Sequence, residues 1–263
     1  MALDKAIDSA QLDADLTAVA DAIRAKGGTS EALAFPGGFV EAVEAIEAGG
    51  GGSDIIAALA DRTITQFPYN ELEGVVAIGE NAFHSCARMQ GTLFPSTVTS
   101  IGVSAFTGCR KIAFTELPYD IIRIGSYAFQ DCNALALTTL PKIPCDGTYI
   151  GAYVFQNCYA LAITELPTGV KGLSTSCFEN CTGLESMYFP SSLNMGNNCF
   201  YGCTGLETVT FGATASAISS TAFKNCTALT TINVPWAEGE VANAPWGASN
   251  ATINYNYTGE EET

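Results

Sequence analysis

Leu206-Glu-Thr-Val209-Thr-Phe211, followed by Ile218-Ser-Ser-Thr-Ala222-Phe223-Lys-Asn-Cys226, is one turn of a pattern that the chain writes seven times. Each copy carries Phe, two residues, then Cys: Phe83/Cys86, Phe106/Cys109, Phe129/Cys132, Phe155/Cys158, Phe178/Cys181, Phe200/Cys203 and Phe223/Cys226. The steps between phenylalanines are 23, 23, 26, 23, 22 and 23 residues. A period in this range implies a solenoid, in which each repeat contacts only its neighbours.

Alignment on the phenylalanine brings the other positions into register. Five residues earlier stand Ile78, Ile101, Ile124, Ile150, Leu173, Met195 and Ile218, and one residue earlier a small side chain such as Ala82, Ala105 or Ala222. Six residues later stand Met89, Ile112, Leu135, Leu161, Leu184, Leu206 and Leu229. Eleven later comes Phe94, Leu117, Leu140, Leu166, Phe189, Phe211 or Val234, then a proline in every copy except at Gly212. The Leu-x-x-Val-x-Phe tract alternates as a short strand should, and the proline ends it by removing a ladder donor. Ile-Gly-x-x-Ala-Phe predicts a second short extended piece, a Gly turn, and a turn or short helical segment carrying Phe and Cys. A lone repeat cannot cover its own apolar column; stacked neighbours and end caps must do so.

These positions together resemble the BspA-like (Treponema pallidum-type) leucine-rich repeat of bacteria. The resemblance runs from about Ile64 to Pro235. It implies a leucine-rich-repeat solenoid, β-rich with short parallel strands and turn or short helical segments, of about seven 23-residue repeats. It implies adhesion or protein binding, and supplies no catalytic residues.

Composition narrows the partners. The chain has 263 residues and a formal net charge of −16, with 11 Lys and Arg in all. A nucleic-acid backbone would be repelled. No apolar run reaches the 18 residues of a membrane span. The N-terminus shows no basic-then-apolar signal pattern. His84 is the sole histidine, and no nucleophile–base set, metal-binding His pair or phosphate loop is present. The expectation is a non-enzyme without cofactor or metal.

The ends differ from the repeats. Residues 1–48 are expected to form a small α-helical module. Leu12, Leu16, Val19 and Ile23 make one stripe at helical spacing, and Phe39, Val43 and Ile46 another. Either they pack on the first rung, or they meet sister copies or a partner. Leu16 to Thr29, with Phe35-Pro36-x-Gly-Phe39, resembles the N-terminal segment of phage and prophage tail-associated proteins of gut Firmicutes. That resemblance implies a virion protein made in the cytoplasm without a signal peptide and released by lysis, with residues 1–48 as anchor to tail proteins or sister copies. Its solenoid would meet a host-cell surface protein or glycan. The alternative is a bacterial cell-surface adhesin for host extracellular-matrix protein. Residues 49–53 form a Gly-rich linker, 54–235 the solenoid with its N-terminal cap, and 236–263 a C-terminal cap and acidic tail closed by Trp236 and Trp246.

Seven of ten cysteines share one repeat position, Cys177 and Cys199 replace its small residue, and Cys145 lies in an insertion. Stacked parallel side chains ~4.8 Å apart do not suit a disulfide, whose Cβ atoms lie near ~3.8 Å. Free core thiols are expected. The pairs Cys177/Cys181 and Cys199/Cys203 also have zinc-like spacing, which repeat position already explains. Asn180-Cys-Thr182 and Asn225-Cys-Thr227 match glycosylation acceptors only because the turn favours Asn before Cys.

Recognition falls to the strand positions that vary. Eight residues after the phenylalanine stand Phe114, Leu137 and Ile163, where other copies have Gly91, Ser186, Thr208 and Thr231. Ten after it stand Glu116, Thr139, Glu165 and Tyr188, among others. Under regular alternation, Phe114, Leu137 and Ile163 form an exposed ligand-binding column flanked by Glu116, Thr139, Glu165 and Tyr188. Under a one-residue slip, Thr115, Thr138 and Thr164 take the outward place and the apolar column turns inward.

Overall fold

The computed structural model describes residues 62–69, 72, 75–141 and 149–259. The helical stripes of residues 1–48, the linker, Cys145 and the last four residues lie outside the described residues. The rest is a right-through solenoid of about eight turns with parallel strands on two faces, and the described part holds almost no helix.

The first face is built from the Ile-Gly pieces. Strands β1 (Ala77–Ile78), β3 (Ser100–Ile101) and β5 (Arg123–Ile124) pair in parallel. Beyond the insertion, β6 (Tyr149–Ile150), β7 (Gly172–Leu173), β9 (Asn194–Met195) and β11 (Ala217–Ile218) continue it. Each is two residues long, and the chain turns at once, at a glycine in five of them and at Ser174 or Ser219 in the other two. Gly102 and Gly125 are required by close approach: a Cβ there would sit 2.6 and 2.5 Å from the backbone of the rung below.

The second face carries the Leu-x-x-Val-x-Phe tracts. β2 (Gln90–Gly91) pairs with β4 (Lys111–Ile112). β8 (Ser186–Phe189), β10 (Thr208–Phe211), β12 (Thr231–Asn233) and β13 (Thr252–Asn254) form a four-stranded parallel ladder. Ser186, Thr208 and Thr231, all eight residues after their phenylalanines, pair with one another.

The Phe and Cys segment is a tight turn rather than a helix. In the first six copies the residues two before and two after the phenylalanine adopt positive φ, as at Asn81 (57°) and Ser85 (62°), or Tyr153 (60°) and Asn157 (61°). Two left-handed residues within five prevent helix propagation. They also explain the Asn, Asp and Gly found before cysteine, since these tolerate that conformation best.

The turns stack as a third ladder. The Phe83 amide donates to the Ala105 carbonyl of the next rung at 2.7 Å, and the same bond recurs through Phe223 to Trp246 at 2.9 Å. Successive rings lie face to face, Phe83–Phe106 at 5.1 Å and Phe106–Phe129 at 5.3 Å. From the second rung on, the repeat cysteine's thiol then donates back to the phenylalanine carbonyl of the preceding rung: Cys109 to Phe83 at 2.9 Å, Cys132 to Phe106 at 3.0 Å, and so on to Cys226 on Phe200 at 3.0 Å. The repeated cysteine is therefore both a core filler and a donor between rungs.

The eighth turn closes the C-terminal end. β13 adds to β12, and Ala248 makes the turn bonds of a repeat cysteine, donating to the Pro245 carbonyl at 2.9 Å and accepting from Ala251 at 3.2 Å. Trp236 and Trp246 are buried against Phe211. The Trp246 indole donates to the Ala242 carbonyl at 2.8 Å.

Candidate functional site

Phe114, Leu137 and Ile163 are not at the surface. Their exposure is 0, 0 and 1%. The apolar column expected as an exposed ligand face belongs to the core, and the slipped arrangement is the one adopted. The cause is the position of the first large apolar side chain after the leucine. In rungs five to seven it comes nine residues after the phenylalanine (Met187, Val209, Ile232), with Phe189, Phe211 and Val234 two further on, so one residue points outward between them. In rungs two to four it comes at eight, while Leu117, Leu140 and Leu166 must still point inward at eleven. Two residues then have to leave the core together, which no regular strand permits. Rung one follows the same rule with Gly91, whose Cβ would lie 2.6 Å from that of Phe67.

The pairs thrown outward are Thr92/Leu93, Thr115/Glu116, Thr138/Thr139 and Thr164/Glu165, all exposed. Among the described residues no strand forms on this face between Ile112 and Ser186. What remains of the ladder is a few bonds, Ala136 to the Phe114 carbonyl at 3.1 Å, Thr138 to that of Thr115 at 3.4 Å and Ala162 to that of Leu137 at 3.0 Å. Among the described residues, the amides of Thr115, Glu116, Thr139 and Glu165 donate to no protein acceptor. Exposed as they are, they are left to solvent or to a ligand.

This bulged tract is concave. A groove of about 920 Å³ runs over it from Thr92 and Leu93 to Tyr188 and Pro190, past Glu116, Thr139 and Glu165. Its size falls in the ordinary range for ligand sites. The four polar members of the sequence-derived set thus share one wall, while the three apolar members lie beneath it. Leu93 (63% exposed) and Tyr119 (74%) are additions. Tyr119 stands directly after Pro118, the repeat proline of its rung, a position that alternation does not cover.

Tyr188 marks the junction with the regular half. Its amide donates to the Thr164 carbonyl at 2.8 Å and its carbonyl accepts from Leu166 at 3.0 Å. Its hydroxyl lies where a Cβ on Gly212 would be. That gives a reason for the single break in the proline run: a side chain at 212 would displace the ring from the groove's end.

Beyond Tyr188 the outward face is closed by its own side chains. Asn254 donates to the Asn233 carboxamide at 2.8 Å, and Asn233 to the Thr210 hydroxyl at 3.1 Å. Elsewhere, a turn-face ladder links Asn180 to Asn157 and Asn157 to Asp131, at 2.9 and 2.6 Å. The His84 ring bonds its neighbour Ser85, Nδ1 to Oγ 2.9 Å, within one turn.

The described cysteines are free and buried. Burial pushes the Cys132, Cys158, Cys177 and Cys203 thiols far above their ordinary range, and Cys199 up to about 12. They are protonated donors, not nucleophiles. Among the described residues no group of three or more His, Cys, Asp or Glu is placed to hold a metal.

A family model, the BspA type leucine rich repeat region, matches six copies over residues 76–194 and 137–243. Three solved structures are similar. A leucine-rich repeat protein from Bacteroides ovatus ATCC 8483 is 22% identical, over 75% of this chain and 62% of that one, with a TM-score of 0.45. The leucine rich repeat protein of T. pallidum is 25% identical, over 61% of this chain and 65% of that one, at 0.38. A leucine rich cell surface protein from Faecalibacterium prausnitzii A2-165 is 22% identical, over 69% of each chain, at 0.32. The chain thus spans less than two thirds of the length of the first two. No curated protein matches it.

Proposed function

The chain belongs to the BspA-type leucine-rich-repeat family, and from that premise we propose that it is a non-catalytic recognition protein whose groove, between Leu93 and Tyr188, binds a host surface component. One observation carries the reading. Among the described residues, the outward side chains of the bulged rungs, with the amides of Thr115, Glu116, Thr139 and Glu165, are left unpaired on a concave face. In the adjoining regular rungs the equivalent groups bond one another. An uncommitted polar face rimmed by exposed Tyr119, Tyr188 and Leu93 suits a partner.

Its placement on a phage or prophage tail is supported by the wording of Leu16 to Thr29 and Phe35 to Phe39. In that reading residues 1–48 hold the protein to tail proteins or sister copies. Family membership supports a second placement, the bacterial cell surface, where the same groove would meet host matrix protein.

The test is retention of the labelled chain on intact gut Firmicutes cells and on immobilised matrix protein. The double variant Tyr119→Ala/Tyr188→Ala should lose most retention on one of them while keeping the wild-type circular dichroism. Unchanged retention on both would remove the groove from recognition. Deleting residues 1–48 should abolish co-purification with particles released by lysis; particles that still carry the shortened chain would rule out the anchor.

A further inference from the structure

Resting on that reading, we propose that the groove takes an extended peptide segment bearing two cationic side chains three residues apart. The two wall carboxylates, Glu116 and Glu165, are exposed, and among the described residues no lysine, arginine or histidine lines the groove with them. The chain around them carries a net charge of −16. An ammonium or guanidinium group complements that field, and an acidic or phosphorylated partner is repelled by it.

The spacing follows from the stack. Glu116 and Glu165 belong to rungs two and four, with Thr139 of rung three between them. Two ladder steps separate their backbones by about 10 Å, which three residues of an extended chain also span. A cationic residue on one carboxylate therefore places the residue three further on at the other. The whole groove crosses four steps, about 19 Å, or roughly six extended residues.

The remaining features fit a peptide backbone. The unpaired amides of Thr115, Glu116, Thr139 and Glu165 supply donors for its carbonyls. Tyr119, 74% exposed and three residues after Glu116, and Tyr188, seated over Gly212 and bridged to Glu165, offer ring faces to a guanidinium.

The test uses the full chain and two synthetic peptides of one composition: acetyl-Arg-Ser-Ser-Arg-Ser-Ser-amide, and acetyl-Arg-Arg-Ser-Ser-Ser-Ser-amide with the spacing removed. Calorimetric titration at low salt should show the spaced peptide binding about tenfold tighter than its isomer. Glu116→Gln/Glu165→Gln should erase that preference, again by about tenfold. Both substitutions are at the surface, so the fold is retained. Equal binding of the two peptides, or binding unchanged in the double variant, would reduce the effect to attraction by net charge and overturn the proposal. Binding of an N-acetylglucosamine hexamer instead, lost in Tyr188→Ala, would overturn it in favour of a glycan. Loss of host-surface retention in Tyr119→Ala/Tyr188→Ala without peptide binding would overturn only the cationic peptide and leave the recognition reading standing. Retention intact in that variant would overturn both.

Discussion

Thr139 and Asn233 hold the same repeat position, ten residues after their phenylalanines, in two halves of one solenoid. Asn233 is 8% exposed, donates to Thr210 and accepts from Asn254. Thr139 is exposed, and its amide has no acceptor among the described residues. The halves share the phenylalanine stack, the thiol bonds and the Ile-Gly face. They differ by one position of an apolar side chain. A one-residue slip, tolerated because leucine eleven residues on still fills the core, turns a self-satisfied ladder into an open wall. Surface function here is a by-product of how two residues are made to leave the core at once.

The most drastic way to break the comparison is to charge the column that defines the bulged half. Leu137→Asp should abolish cooperative folding, and Leu137→Ala should cost about 3 kcal/mol, read by thermal or denaturant unfolding. If Leu137→Asp folds as wild type, the column is not core.

Alkaline titration probes what the halves share. Below pH 9 the thiols are protonated in both folded and unfolded chains. Above it the unfolded chain releases protons that buried thiols retain, so stability falls as pH rises. Cys199, pushed up to about 12, sets a window from about 9 to about 12, with a slope of about 1.4 kcal/mol per pH unit for each thiol. The column runs through both halves, so both should unfold together; a half that survives alone would show that the stack is not continuous.

A conversion sharpens the contrast. Exchanging neighbours in three rungs (Phe114→Thr with Thr115→Phe, Leu137→Thr with Thr138→Leu, Ile163→Thr with Thr164→Ile) writes the regular pattern into the bulged tract. Hydrogen exchange at Thr139 and Glu165 should slow by about fivefold, matching roughly 1 kcal/mol per ladder bond gained, and the groove's binding should disappear. Unchanged exchange would mean that the slip is not set by these side chains.

The smallest expected effects come from the paired position itself. Asn233→Ala should cost about 1 kcal/mol. Thr139→Ala should fall within about 0.5 kcal/mol of wild type, with its consequence in binding. Equal costs at the two sites would erase the distinction between a closed face and an open one.

Much of this was legible in the residues. The Phe-x-x-Cys period predicted the stack, and the shared position of seven cysteines predicted buried thiols. The direction of the slip was not legible. Phe114 with Thr115 can be read in either phase when the tract is so short, and only the simultaneous burial of Leu117 decides it. The thiol bonds were also hidden, since their acceptor is a backbone carbonyl of the previous rung. Tyr188 was singled out by position, but its seat on Gly212 depends on a contact 24 residues away.

The thiol bond also bears on how such a chain can change length. Every rung presents a carbonyl acceptor to the rung after it and a sulfur donor to the rung before it, in the same geometry from Phe83 to Cys226. Adding or deleting a whole period leaves each new junction chemically identical to the old ones. Even the 26-residue step from Phe129 to Phe155 keeps its bond, Cys158 to Phe129 at 3.1 Å. Duplication in units of one rung can therefore move the open wall along the molecule, or lengthen it, without redesigning a single contact in the core.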